Sequence, residues 1–163
     1  MTLPFMGRGP AWEQALGVLQ DKVETILKSF WCDGDTTSVE RNYHPDAFVA
    51  GLEAEAFASL EDLIAFQRML VAQLGERSLT IWQSVEDGHT IALQGEFTAV
   101  ERRTGRPVRV AFQLMARIEE GLIVESHSLV DFLAAFEQLG RLPPRTLDLC
   151  LTDNAFAPVL KLA

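Results

Sequence analysis

From residue 78 onward the hydrophobic period of the chain switches from helical to two, and that switch limits the folds open to it. Four alternating runs follow, at about 79–86, 90–101, 107–118 and 122–130. They are separated by Asp87-Gly88, Thr104-Gly105 and Glu120-Gly121. Such pairs between alternating runs signal hairpins, because the tight turns that match strand twist need positive φ. In the third run Val108, Val110, Phe112, Leu114, Ala116 and Ile118 alternate with Arg109, Ala111, Gln113, Met115 and Arg117. Each strand then has one face for a core and one of different character, which predicts an antiparallel meander.

The preceding half is helical. Trp12, Leu16, Leu19, Val23, Ile26, Leu27 and Phe30 follow the spacing of one helix face, predicting an amphipathic helix over 11–31 that Asp33-Gly34-Asp35 ends. Thr37 and Glu40 have capping-box spacing, so a short second helix is expected to run to about Tyr43, ahead of Pro45. Residues 47–50 fit a short strand and 51–58 a loop. Ser59, with Glu61 and Asp62 in the first turn, caps a third helix whose buried face is Leu60, Leu63, Ile64, Leu70, Val71 and Leu74, closed by Gly75.

Three helices followed by a mainly antiparallel sheet is an α+β order. The helices must cover one sheet face, and a strongly bent sheet wrapped on a long helix leaves a cone whose mouth can hold a small ligand. At 163 residues the chain fits one domain, 1–163, with a core at about 11–142. In the tail, 143–163, Leu147, Leu149 and Leu151 alternate with polar residues and predict one more edge strand.

Composition removes several functions. A net charge of −9 opposes a nucleic-acid groove, and Arg102, Arg103, Arg106 and Arg109 fit a solvated hairpin tip. No apolar run reaches the ~18 residues of a membrane span. The start, MTLPFMGRGP, has no signal-peptide core, and Cys32 and Cys150 read as free thiols, so a cytoplasmic location is expected. His44 and His89 fall at turns, and no His/Cys/Asp/Glu group has metal-ligand spacing. With no GxSxG, phosphate-binding glycine loop or activated Cys, neither metal nor cofactor is expected.

The order and spacing of several short motifs are more specific. Gly34-Asp35, Tyr43-His-Pro-Asp-Ala-Phe-Val49, Glu86-Asp-Gly88 and Thr104-Gly-Arg-Pro-Val108 are followed by Ala116-Arg-Ile-Glu-Glu-Gly-Leu-Ile-Val-Glu125. Asp131 then precedes a helix ending Glu137-Gln-Leu-Gly140. Together they resemble the SnoaL-like polyketide cyclases of the nuclear transport factor 2-like superfamily, over about residues 11–142. The resemblance implies a cystatin-like α+β cone and a homodimer through the open sheet face. It also implies cofactor-free chemistry, with Asp131 as the acid/base of an intramolecular aldol ring closure. The chain departs from the family at Glu125-Ser126-His127, where the family often reads Glu-His-Trp. Arg117 stands where the cyclases place a second pocket side chain, a histidine.

Period-two counting puts Ile123, Glu125, His127, Leu129 and Asp131 on one side of the last strand. If that side faces the cone, its carboxylates meet an apolar wall that favours their neutral forms, as a general base near neutral pH requires. His127 would supply an imidazole, Arg117 would anchor an anionic oxygen, and Gln113 would donate to a carbonyl. Trp82, Phe97, Tyr43, Phe66 and Met69 are candidate pocket walls. Asp131 also directly precedes Phe132-Leu-Ala-Ala-Phe136, where Asp is a preferred N-cap. In a straight strand Asp131 lies ~13 Å from His127. Two functions follow. One is a cofactor-free enzyme acting on an apolar, polyketide-like carbonyl compound by ring closure, isomerisation, dehydration or epoxide hydrolysis. The other is a non-catalytic hydrophobic-ligand-binding or association module.

Overall fold

A computed structural model describes residues 17–152. Helix α1 (Val18–Leu27) runs directly into a π-helical turn, Lys28–Asp33, which ends at Gly34 with φ of 78°. Within the described residues the predicted first helix is present from Val18, and its 11–16 portion lies outside them. Buried Val23, Ile26, Leu27 and Phe30 form its inner face. The wide final turn leaves carbonyls without helical partners, and side chains take them up. Buried Gln67 donates to the Phe30 carbonyl at 2.6 Å, and Arg77 donates to those of Trp31 and Cys32 at 2.9 and 2.7 Å.

Helix α2 (Thr37–Asn42) starts without the expected Thr37–Glu40 box. Asp35 does that work: its Oδ1 accepts from the Thr37 amide at 3.0 Å and hydroxyl at 2.6 Å, while Oδ2 meets Arg41 at 2.7 Å. Strand β1 (Tyr43–Ala50) follows at once and is longer than the 47–50 expected. Helix α3 (Leu60–Gln73) is capped by Ser59, which accepts from the Asp62 amide at 3.2 Å. Gly75 does not close it, because strand β2 (Leu74–Asp87) begins directly after Gln73. Strands β3 (Thr90–Glu101), β4 (Pro107–Glu119) and β5 (Leu122–Val130) complete the sheet. The turns between them place Gly88, Gly105 and Gly121 at positive φ.

The sheet order is β1-β5-β4-β3-β2, with β1 parallel to β5 and the other pairs antiparallel. Its inner face packs Ile91, Leu93, Leu114, Ala116, Ile118 and Ile123 against the helices. Two bulges bend it. In β2 the register steps from Ile81↔Gly95 to Gln83↔Gln94, leaving Trp82 as the extra residue. At that bend a Cβ on Gly95 would lie 2.2 Å from the Thr80 carbonyl oxygen, so only glycine fits. In β5 the register steps from Arg117↔Glu125 to Ile118↔Ile123, leaving Val124 unmatched.

Beyond β5, α4 (Phe132–Gln138) closes over the cone. The tail then forms a helix, α5 (Thr146–Leu151), rather than the predicted edge strand. Pro143-Pro144 break the chain, Arg145 enters the left-handed region at φ 61°, and Glu137 accepts from the Thr146 amide at 2.6 Å. Leu147 and Leu151, four apart, share a helical face as readily as a strand face. Residues 153–163 of the tail lie outside the described residues.

Candidate functional site: an apolar cone and an outer groove

The Val124 bulge decides what faces the cone. An extra residue in one strand reverses the alternation beyond it. Ile123 points inward, but so do Ser126, Ser128 and Val130, while Glu125, His127 and Leu129 turn to the opposite face. The expectation that Ile123, Glu125 and His127 share the cone wall is therefore corrected. Arg117 and Gln113 also lie on the outer face of β4, between the buried inward residues.

The cone cavity has a volume of about 90 Å³. Helix α4 supplies Phe132, Ala135 and Phe136 to its wall, and the residue that caps its C-terminus adds Leu139. The strands add Phe97, Val108, Val110, Phe112 and Val130; α1 with its π turn adds Leu27 and Trp31, and α3 adds Leu70. Phe66 stands outside this lining and joins its sides, 6.4 Å from Trp31 and 6.3 Å from Phe132 between ring centroids. Besides the Trp31 indole, the one polar side chain in the lining is Ser128.

The outer face carries a wider groove of about 540 Å³, lined by Gln83, Gln94, Gln113, Met115, His127 and Leu129 among others. Gln83, Gln94, Gln113 and Leu129 stand side by side across four strands. Next to them Glu125 accepts from both neighbours. His127 Nε2 lies 2.9 Å from its Oε1, and Arg117 Nη2 lies 3.3 Å from its Oε2; Arg117 also pairs with Glu119. Hydrogen bonding from His127, followed by that from Arg117, holds the Glu125 carboxyl below the usual carboxylate range. Glu125 is thus a fixed anion in this trio and a weak base. The Phe48 ring lies 5.4 Å from the His127 ring.

Asp131 belongs to neither concavity. Its Oδ1 accepts from the Ala134 amide at 2.9 Å, capping α4, and its own N–H donates to the Ala111 carbonyl at 3.1 Å. It is exposed at the rim, between Val130 and Phe132, which both line the cone. The other candidate walls separate. Phe97 lines the cavity; Tyr43 is buried outside that lining and hydrogen-bonded to Ser126, with burial pushing its phenol up to about 12. Trp82 at the β2 bulge is 54% exposed and Met69 on α3 is 63% exposed, so neither lines the cone. Burial pushes the half-buried Cys32 thiol up, away from nucleophile chemistry. Among the described residues no three His, Cys, Asp or Glu side chains group as metal ligands. No helix among them is long and apolar enough to cross a membrane.

Counting from residues did not single out Ser128 or the covering role of α4. The signal for Ser128 was its place two residues before Val130; the bulge hid which parity mattered.

A SnoaL-like domain match spans residues 23–126, well over half of the chain. The chain belongs to the SnoaL-like domain family. No curated protein matches it. Among solved structures, this SnoaL-like domain is similar to TsrD from Streptomyces laurentii, at 22% identity and a TM-score of 0.64, over 76% of this chain and 96% of that one. It is also similar to IdmH, a candidate polyketide cyclase from Streptomyces antibioticus, at 22% identity and 0.64, over 74% and 97%. AclR from Streptomyces galilaeus, a candidate hydroxylase, matches at 17% identity and 0.67, over 76% and 96%. At these identities the likeness establishes the nuclear transport factor 2-like fold.

Proposed function

We propose that this SnoaL-like domain binds a compact apolar molecule in the cone and performs no chemistry on it. The observation that carries this is the lining: apolar on every side, with one hydroxyl and one indole as its polar side chains. General acid–base catalysis needs a titratable group within hydrogen-bond reach of the reacting proton. The nearest candidates are Asp131, engaged as a helix cap, and Glu125 with His127 on the opposite sheet face. The cavity of about 90 Å³ is smaller than the ~150 Å³ cavity that admits benzene, so a ligand of five- or six-membered-ring size enters it with an outward shift of α4. Filling the cavity tests this. Ala135→Leu should abolish saturable binding of small hydrocarbons, followed by NMR titration, while the unfolding transition stays cooperative. Unchanged binding by that variant would contradict the proposal.

One observation favours a second reading, acid/base catalysis by Asp131: both of its chain neighbours line the cavity. IdmH, described as a candidate polyketide cyclase, lends it a reaction class, intramolecular ring closure of a carbonyl chain. The discriminating variant is Asp131→Asn, which keeps a good cap and removes the base. Turnover of a polyketide-like substrate that vanishes in this variant would replace the binding reading with the catalytic one.

The outer face exposes Phe48, Val85, Met115 and Leu129, a run of apolar side chains that a second copy of the chain would cover, and we place that copy there. Unpaired Cys32 and Cys150 fit a reducing, cytoplasmic setting.

A further inference from the structure

We propose that Ser128 is the anchoring residue of the cone and sets its ligand class: a compact hydrocarbon skeleton carrying a single carbonyl or hydroxyl oxygen. The inference rests on the cone being a ligand site. Strand β5 turns two hydroxyls inward, and they differ. Ser126 is 2% exposed and already paired with the Tyr43 phenol. Ser128 stands opposite inward-facing Leu114 in the β4–β5 register and lines the cavity. Among the described residues its hydroxyl has no hydrogen-bond partner. Apart from the Trp31 indole, the side chains that share the cavity wall with it offer no acceptor or donor.

The Ser128 hydroxyl is open to the cavity rather than sealed in its wall, so a ligand oxygen that takes the place of water there gains the one hydroxyl partner this apolar lining offers. Gly51, at φ 94°, packs so closely on the Ser128 backbone that a side chain there would meet the Ser128 carbonyl oxygen, so β5 is flanked at this position by the end of β1.

The same wall excludes other classes. No cationic side chain lines it, so a carboxylate or phosphate would be desolvated without a counter-charge. A ligand with several polar groups would leave all but one or two of them unpaired. One oxygen matches one hydroxyl, and the rest of the ligand meets Leu, Val and Phe side chains.

The test uses an isosteric pair, cyclopentanone and methylenecyclopentane, titrated into the wild-type protein and into Ser128→Ala, with binding followed by NMR shifts of cone methyl groups. Loss of one hydrogen bond should weaken cyclopentanone binding roughly threefold to tenfold in the variant. Methylenecyclopentane should bind the variant as well as, or better than, the wild type. Thermal unfolding of both proteins confirms a common fold. If Ser128→Ala leaves both affinities unchanged, the anchoring role is overturned while the cone remains a ligand site. If neither compound shifts cone resonances in the wild type, the cone reading falls and this inference with it.

Discussion

At the joint between β5 and α4, Asp131 donates its amide to Ala111 and accepts from Ala134 through its carboxylate. Those bonds make its energetic role measurable apart from any chemistry. Asp131→Ala should cost about 1 kcal/mol in urea unfolding, and Asp131→Asn should cost a few tenths at most, because Asn caps nearly as well. Equal losses for both would show that the carboxylate contributes something other than a cap. Cap and joint were legible in the residues, since Asp before Phe132-Leu-Ala-Ala-Phe136 has one obvious local use. The side of the sheet on which Glu125 and His127 fall was not. Period-two counting assumes an uninterrupted strand, and Val124, an ordinary strand residue, carries no mark of being a bulge.

Elements are held by side chains far away in sequence, which local patterns do not reveal. Glu86 on β2 accepts from the Gly17 and Gln20 amides at 3.0 and 2.9 Å, so a strand carboxylate caps α1. Glu86→Ala should destabilise the fold by roughly 1 kcal/mol, read as a lower urea midpoint. Buried Glu101 is the second such pin. It joins Thr104, and Arg141 just beyond α4 at 3.0 Å; Arg141 also reaches Gln73 on α3 at 2.7 Å. The Thr104 hydrogen bond first, then Arg141, hold the Glu101 carboxyl below its ordinary value of 4.5. A depressed carboxyl stabilises the fold at pH above that ordinary value and loses this effect as pH falls through the lowered one. Glu101→Gln should therefore lower the melting temperature at pH 7, and the gap to wild type should shrink towards pH 3. A gap that is constant or grows on acidification would contradict the assignment. The α5 helix shows why short alternation misleads. Leu147, Leu149 and Leu151 alternate, yet Leu147 and Leu151 also obey the i, i+4 rule, and Arg145 at positive φ starts a helix there.

For the whole molecule, the switch from helical to period-two patterning, the three hairpin turns and the order of motifs were enough to expect the α+β cone. Local physics fixes each of those features: turn residues, caps and alternation act within a few positions. What the cone contains depends instead on which face each strand presents after bulges, a tertiary outcome. The outer face gives a prediction at this scale. A second copy covering Phe48, Met115 and Leu129 should make the protein a dimer in light scattering, and Leu129→Glu should shift it to monomer with the fold retained. A wild-type monomer at high concentration would remove that partner.

The central claim is that the ligand site is the apolar cone and not the outer groove. The direct measurement is methyl NMR of the wild-type protein titrated with cyclopentanone. Shifts confined to Leu70, Val108, Val110 and Leu139 support the cone. Shifts confined to Val85, Met115 and Leu129 would put the ligand on the outer face of the sheet and contradict the account.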